Sequence, residues 1–217
     1  MSHRGACGDV AGLSGVPMLR TIRIVAWGLV AVLAGAVVLA SSGVKLPGLA
    51  GRPPPFEATI GGPFALMSTN GGTISSDSLK GQPFALFFGY TFCPDVCPTT
   101  LLDLSTTIKE LGADAERMRF VFVSVDPERD NLEQLKLYLS SFDPHIAGVT
   151  GSPDQIAELA RKYRAVYEKV ISKDGYTINH TATTYLMDAT GRFHGTLGYQ
   201  EKPEIVLQKL RRLIAGG

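Results

Sequence analysis

The sequence predicts an α/β domain with a largely buried central sheet, preceded by one membrane helix and a spacer. Three observations support this prediction. A run of apolar residues from Ile24 to Ala40 contains no charge. Beyond about Glu57, strand-like and helix-like segments alternate, as they do in α/β domains. Two of the strand-like segments, Pro83–Tyr90 and Arg119–Val125, are largely apolar, which is typical of strands buried on both faces.

The size and charge of the chain limit its class. Its 217 residues suffice for one domain of ordinary size and an appendage, and 45% of them are hydrophobic, as in globular proteins. The formal net charge is +1, and the charges are scattered, without a basic run or an acidic tail. Nucleic acids are bound through clustered basic side chains. We therefore expect no nucleic-acid partner.

The apolar run at residues 24–40 predicts a transmembrane signal anchor. Its length is at the short end of the roughly 17–25 residues that span a bilayer. Arg20 and Arg23 precede it, and by the positive-inside tendency they keep residues 1–23 in the cytoplasm and send the rest of the chain across the membrane. Residues 38–40 also fit a signal-peptidase site, so the segment is either an uncleaved anchor or a cleaved signal peptide. Either alternative exports the folded part.

Two segments flank the predicted anchor. Residues 1–17 are Gly-rich and unpatterned, and Met18 is an alternative start of the chain, so His3 and Cys7 are given no role. Residues 41–56, SSGVKLPGLAGRPPPF, are rich in Gly and Pro and predict an extended linker. The linker lifts a domain at residues 57–217 off the bilayer.

The first part of the domain predicts a hairpin followed by a β-α-β unit. The segments PFALMST and GGTISSDSL, on either side of Asn70, form the hairpin. After the strand Pro83–Tyr90, a helix begins near Pro94–Asp95, because proline and aspartate suit a first helical turn. Gly112 ends this helix, and the strand Arg119–Val125 completes the unit. The apolar stripe of the helix consists of Leu101, Leu104, Ile108 and Leu111.

Two further helices carry capping signals. Asp130 and Glu133 match a capping box and predict a helix start. The next helix begins with Ser152 as its N-cap and Pro153 at its first position, and Gln155 is the capping-box partner of Ser152. Apolar stripes of helical period follow both signals, at Leu132, Leu135, Leu139 and Phe142 and at Ile156, Leu159 and Tyr163.

The chemistry is expected in TFCPDVCPTT, residues 91–100, which holds two of the three cysteines in CxxxC spacing. Cys93 lies on the loop after the strand and Cys97 in the first turn of the helix. Residues four apart share a helical face, so both sulfurs point the same way. The free N–H groups and the dipole of the helix N-terminus favour thiolate over thiol. Two soft thiolates at one opening suit Cu(I), and an imidazole would be acceptable to both oxidation states of copper.

The order of elements resembles the thioredoxin fold, with the first hairpin as the N-terminal addition of its peroxiredoxin-like relatives. A second hairpin at residues 181–188 and 192–199 and a closing helix with Val206, Leu210 and Leu213 complete this order. The resemblance implies that the loop before the last hairpin passes over the cysteines, and NHTATTYLMD puts His180 on that loop. His145 and His194 have no reason to reach the site.

The motifs CPDVCP, SVDPERD and a late histidine before YLMDATGRF, behind one membrane anchor, resemble the Sco/SenC family. Members are membrane-tethered copper proteins that help to assemble the binuclear copper centre of cytochrome c oxidase. The resemblance implies that Cys93, Cys97 and His180 bind copper, as Cu(I) or Cu(II), in a metallochaperone rather than an enzyme. Asp95 and Asp126 lie within the matching motifs. Members commonly have Asp and Ser on either side of the histidine, where this chain has Asn179 and Thr181.

The resemblance also implies partners and a location. The partners are the oxidase subunit that carries the binuclear copper site, and other copper chaperones or thiol reductants. A bacterial inner membrane with the domain in the periplasm fits best, because no long Arg- and Ser-rich transit peptide precedes the anchor. The mitochondrial inner membrane is the alternative.

Three other readings of the cysteine pair remain open. Cys93 and Cys97 are a redox-active pair if the protein is a thiol:disulfide oxidoreductase or a copper-linked redox sensor. Against an oxidoreductase, Ala182 stands where such enzymes usually have proline. A structural disulfide is the plainest reading, but so short a loop gains little stability from a bridge. A peroxidase would use Thr91 near the cysteine, but no arginine partner can be assigned from the sequence.

Overall fold

The computed structural model describes residues 17–41, 59–173 and 175–216, which fall into an N-terminal unit and a folded domain. The N-terminal unit contains helix α1, Pro17–Ser41. Its window Arg20–Val38, with a mean hydropathy of 2.1, is long and apolar enough to cross a membrane, although a signal sequence near the N-terminus would meet the same criteria. Most of the predicted cytoplasmic tail and linker lies outside the described residues.

The domain begins with a mixed sheet whose central strands are buried. The strands are β1 Ala65–Ser68, β2 Thr73–Ser75, β3 Phe84–Gly89, β4 Arg119–Ser124, β5 Ile146–Thr150, β6 Tyr167–Ser172, β7 Gly175–His180, β8 Thr184–Met187 and β9 Phe193–Leu197. Seven of them form one sheet in the order β2-β1-β5-β4-β3-β8-β9, while β6 and β7 form a separate two-stranded sheet. In the centre, β3, β4 and β5 run parallel and are almost wholly buried, as apolar strands covered on both faces should be.

Helices cover both faces of the seven-stranded sheet. They are α2 Val96–Leu111, α3 Leu132–Leu139, α4 Pro153–Tyr163 and α5 Pro203–Ala215, with a short 3₁₀ helix at Gly112–Arg117. Side chains alternate along β3, so Phe87 packs through Phe122 toward α3, while Phe88 meets Tyr163 of α4 on the other face at a centroid distance of 5.9 Å. The strand-to-helix turn that carries the cysteines is thereby fixed to the middle of the core.

Most of the predicted elements are confirmed. The first hairpin, the β3-α2-β4 unit, the hairpin β8-β9 and the closing helix all form. Helix α2 begins at Val96 with Asp95 as its N-cap, and it ends at Gly112, which has a φ of 59°. Ser152 and Gln155 form the predicted capping box at α4.

The predicted capping box at Asp130 is wrong. The N-cap of α3 is Asn131, whose side chain accepts a 2.8 Å hydrogen bond from the Gln134 N–H. Asp130 is fully buried and accepts hydrogen bonds from Thr91 and Ser124 instead, so its carboxylate is not available to cap the helix. The helix also ends at Leu139, which leaves Phe142 beyond it.

Strand β5 and the hairpin β6-β7 were not predicted. Strand β5 is only five residues long and contains Gly148, which weakens a strand pattern. The glycine is needed, because a Cβ there would lie 2.6 Å from the Leu139 side chain. Five of the six residues of β6 are exposed, so the hairpin lacks the alternation of buried and exposed positions that marks a strand on a core.

Candidate metal centre

The two cysteines lie where the sequence predicts them. Cys93 is on the loop between β3 and α2, half-buried, and its N–H donates to the Tyr90 carbonyl at 3.3 Å. Cys97 is fully buried in the first turn of α2, and its N–H donates to the Cys93 sulfur at 3.4 Å. The two sulfurs therefore lie close together, with Cys97 on the buried side and Cys93 on the half-exposed side.

His180 is brought to the cysteines, but not from a loop. It is the last residue of strand β7, which corrects the prediction that it lies on the loop before β8. Its Nε2 lies 3.2 Å from the Cys97 sulfur, and its ring packs edge-on against Phe87 and Tyr90 with centroid distances of 6.0 and 5.8 Å. Strand geometry and aromatic packing thus fix the imidazole more firmly than a loop would.

The other ring nitrogen decides which tautomer faces the sulfurs. Nδ1 of His180 lies 3.1 Å from the Thr181 backbone carbonyl, which can only accept a hydrogen bond. Nδ1 therefore carries the proton, and the lone pair of Nε2 points at the cysteines. A backbone carbonyl therefore orients the imidazole, while Asn179 is exposed.

The three side chains form a metal-ligand group. One ligand atom from each of Cys93, Cys97 and His180 lies within 4.8 Å of the other two, and within the described ranges no other group of three or more His, Cys, Asp or Glu meets that test. Two sulfurs and one imidazole nitrogen suit a soft metal ion such as Cu(I), and the nitrogen extends the choice to Cu(II).

The remaining histidines lie elsewhere, as predicted. His145 contacts Asp143 at 2.6 Å and Glu116 at 3.0 Å, and His194 is exposed on β9. His3 and Cys7 lie outside the described residues.

The two thiols differ in acidity. The hydrogen bond from the Cys97 thiol is the main cause that lowers the pKa of Cys93 to about 4. The backbone N–H groups of Asp95 and Cys97 lower it further, whereas burial raises it. The same hydrogen bond, with burial and the nearby negative charge of Cys93, raises the pKa of Cys97. Without metal, the pair is therefore one outer thiolate and one inner thiol at neutral pH.

The sequence did not reveal the polar residues behind the site. Asp126 is buried and bonds Arg129 and the Tyr176 hydroxyl, not the ligand group. The Thr91 hydroxyl donates to Asp130 at 2.6 Å, so it is not directed at the cysteine as a peroxidase would need. In the sequence, only the SVDPERD motif pointed to these residues, and it did not predict which side chains they contact.

Fold and site together define a thioredoxin-like protein with a thiolate and imidazole group at the strand-to-helix turn. The profile of the SCO1/SenC family matches residues 52–215. The chain belongs to this family.

Individual relatives agree with the family match. A copper-bound structure of ScoI from Bradyrhizobium japonicum is 48% identical, with a TM-score of 0.67, and the match covers 71% of this chain and 99% of that one. BsSco, described as having a disulfide switch and as a member of the Sco family of cytochrome c oxidase assembly proteins, is 25% identical with a TM-score of 0.60, covering 72% and 94%. The mitochondrial SCO1 homolog 1 of Arabidopsis thaliana is 39% identical over 142 residues, which are 63% of this chain but only 42% of that protein.

Proposed function

We propose that this protein is a membrane-anchored copper chaperone that carries copper on Cys93, Cys97 and His180 and helps to assemble the binuclear copper centre of cytochrome c oxidase. The observation that supports this most is the convergence of two sulfurs and one imidazole nitrogen within 4.8 Å, from a helix turn and a separate strand. A structural disulfide would not need His180, and a half-buried histidine aimed at two thiols fits a ligand better than a packing residue.

The site can take up Cu(I) with little rearrangement. Cys93 is already a thiolate, and the Nε2 lone pair of His180 already faces the sulfurs. The metal only has to displace the proton of Cys97, which leaves as the second thiolate forms. Apparent Cu(I) affinity should therefore fall by about tenfold per pH unit as the pH drops from 7 to 5, since each bound ion releases about one proton.

The anchor and the partners follow from the same proposal. Helix α1 holds the protein in a bacterial inner membrane with the domain in the periplasm, or in the mitochondrial inner membrane. The copper is cargo for the oxidase subunit that contains the binuclear site, and other copper chaperones or thiol reductants supply metal or electrons.

X-ray absorption of the Cu(I) form of the full chain in detergent tests the ligand set. We expect two sulfurs and one nitrogen around one copper per monomer. The variant His180→Ala should lose the nitrogen and bind Cu(II) about 10- to 100-fold more weakly, with Cu(I) retained on two sulfurs. His194→Ala is the matched control, because that histidine is exposed on β9. An all-sulfur shell in the unmodified protein would remove His180 from the site.

A thiol:disulfide oxidoreductase or copper-linked redox sensor is the second candidate, and the half-exposed Cys93 thiolate favours it. This thiolate would attack a partner disulfide to give a mixed disulfide and release one partner thiolate. Cys97 would then lose its proton and displace the second partner sulfur, which leaves the partner reduced and Cys93 bonded to Cys97. In cells, His180→Ala separates the candidates. Normal oxidase activity in that variant, with loss in Cys93→Ala, would favour the reductase over the chaperone.

A further inference from the structure

The two halves of the ligand group belong to elements that share no backbone ladder. Cys93 lies on the loop after β3, in the seven-stranded sheet, whereas His180 ends β7 in the two-stranded sheet. Within the described residues, the β6-β7 sheet has no strand pairing with the larger sheet. Besides the short connection from His180 to β8, which pairs with β3, side chains therefore help to set the distance between the sulfurs and the imidazole.

Arg129 contacts both halves through aromatic rings. Its guanidinium carbon lies 4.7 Å from the ring centroid of Phe92, the residue before Cys93. The same carbon lies 3.6 Å from the ring centroid of Tyr176, which is in β7 four residues before His180. Both distances are within the range of cation-π attraction.

Hydrogen bonds hold Arg129 in this position. Its Nη1 donates to the Tyr176 carbonyl at 3.0 Å, and its Nε donates to the buried carboxylate of Asp126. That carboxylate also accepts a 2.8 Å hydrogen bond from the Tyr176 hydroxyl. Arg129, Asp126 and Tyr176 thus form a closed triangle, and a planar guanidinium suits such a combination of stacking and directed bonds better than an ammonium.

The next residue holds the cysteine loop from behind. Asp130 accepts hydrogen bonds from the Thr91 N–H at 2.9 Å and from the Thr91 hydroxyl at 2.6 Å. It also accepts from Ser124 at the end of β4, so the loop is fixed to the central sheet. Consecutive residues of one turn after β4 therefore hold the loop before Cys93 and the strand that carries His180.

We propose that Arg129 is a positioning residue that joins the Cys93 loop to strand β7 and so sets the reach of His180 to copper. The inference rests on the proposed copper function of the site. Because Cys93 and Cys97 are fixed independently through Asp130 and α2, loss of the Arg129 link should affect the nitrogen ligand and leave the sulfur pair in place. Cu(II), which gains most from the nitrogen, should respond more than Cu(I).

The test compares two variants with a matched control in the full chain in detergent. Asp126→Asn/Arg129→Met removes the guanidinium without leaving a buried carboxylate unpaired. Phe92→Leu removes one ring from an exposed position and should leave folding intact. Lys169→Met is the control, because Lys169 also lies over the Tyr176 ring, at 4.2 Å, but pairs with Glu128 instead of Asp126.

Two measurements are made on each variant. Hydrogen exchange of the metal-free protein should become about tenfold or more faster in residues 176–180 of the double variant, less in Phe92→Leu, and unchanged in the control, while residues 90–93, which Asp130 holds, should change little in all three. Cu(II) affinity should fall by about 10- to 100-fold in the double variant, the usual effect of losing an outer partner of a ligand, with a weaker sulfur-to-Cu(II) absorption band. Cu(I) affinity should change by less than about threefold, because both sulfurs remain.

The results separate this proposal from the proposed function. If the unmodified chain binds no copper, the proposed function fails, and the exchange data on the metal-free protein alone decide whether Arg129 joins the two segments. If it binds copper and the double variant keeps the Cu(II) affinity and spectrum of Lys169→Met, Arg129 is only a structural residue and the proposal is overturned. Should the double variant not fold, an unchanged Phe92→Leu overturns the proposal, whereas smaller changes of the same kind support it.

Discussion

Cys93 and Cys97 share one sequence motif but have opposite chemical states. The outer sulfur is a thiolate because the inner thiol donates to it, and the inner sulfur keeps its proton because it is buried beside that charge. Two identical side chains thus provide a nucleophilic thiolate, Cys93, and a protonated thiol, Cys97. Copper loading and the second step of disulfide exchange both require Cys97 to lose its proton.

Removal of the inner thiol should raise the pKa of Cys93. In Cys97→Ala the main hydrogen bond to the thiolate is lost, so the pKa of Cys93 should rise from about 4 toward its ordinary value. Cys97→Ser is the matched control, since its hydroxyl can still donate. The pH dependence of iodoacetamide alkylation, followed by mass spectrometry on metal-free protein, measures this pKa. In the unmodified protein the Cys93 rate should be flat from pH 8 down to about 5 and fall below that. A rate that rises with pH up to 9 would contradict the thiolate assignment.

Gly89 sets how deeply Cys97 can pack. A Cβ at Gly89 would lie 2.8 Å from the Cys97 sulfur and 2.6 Å from the Phe122 ring. We expect Gly89→Ala to lower the free energy of unfolding by about 1–3 kcal/mol, as overpacking does, and to weaken copper binding by moving the sulfur. Urea unfolding and Cu(I) titration measure the two effects. Gly195→Ala in β9 is the control, because a Cβ there meets nothing within 4 Å. Equal results for both glycines would contradict the packing argument.

At the scale of elements, His145 ties the loop before β5 to the 3₁₀ helix. Its Nδ1 contacts Asp143 at 2.6 Å, and its Nε2 contacts Glu116 in the 3₁₀ helix at 3.0 Å. The hydrogen bonds to Glu116 and Asp143, in that order, raise the pKa of His145 above its ordinary value. The two carboxylates therefore hold the protonated form of the imidazole more strongly than the neutral form.

The stability conferred by His145 should depend on pH. Because its pKa is higher in the folded than in the unfolded state, the stabilisation is complete below the unfolded pKa of about 6.5 and disappears as the pH rises through the folded pKa. Since Glu116 is largely exposed, we expect His145→Gln to cost only about 0.5 kcal/mol at pH 5.5 and almost nothing of this at pH 9. Urea unfolding at both pH values measures this, with His194→Gln as the control. A larger loss at pH 9 than at pH 5.5 would contradict the direction of the pKa shift.

The elements also show what the sequence can and cannot predict. Continuous apolar strands such as β3 and capping signals such as Ser152 are local, and they were predicted within a residue or two. The hairpin β6-β7 was not predicted. Its strands are largely exposed, so their sequences lack the alternation of apolar and polar residues that marks a strand packed on a core. Asp130 was mistaken for a cap, since a buried carboxylate and a capping one look alike in sequence when the donors, Thr91 and Ser124, come from other segments. Likewise, the group that orients His180 is the backbone carbonyl of Thr181. Every residue has such a carbonyl, so the residue type at this position does not predict the contact.

At the scale of the whole molecule, the core belongs to the C-terminal unit alone. Every buried core residue in the described part of the chain lies between Leu66 and Ile214. The compact unit at Ala58–Gly217 therefore contains the sheet, the helices that cover it and the ligand group.

A chain without residues 1–57 should fold and bind copper like the full one. We expect its Tm, measured by circular dichroism in the same detergent, to lie within about 2 °C of the full chain, because every described core residue is kept in the shortened chain. Copper stoichiometry should stay at one per monomer. A fall in Tm of more than about 5 °C would mean that the N-terminal unit stabilises the domain.

The separate two-stranded sheet has a consequence for how copper leaves. Local openings of a protein cost less free energy than global unfolding. The strands of β6-β7 pair only with each other, and their residues are mostly exposed, although Ile178 is buried in the core. If β6-β7 opens, the nitrogen ligand departs while both sulfurs stay on the core. Cu(I) is then left two-coordinate, with a vacant position for an incoming donor. Ligand exchange with a partner can thus begin at the nitrogen, and it requires only the free energy of opening the β6-β7 hairpin.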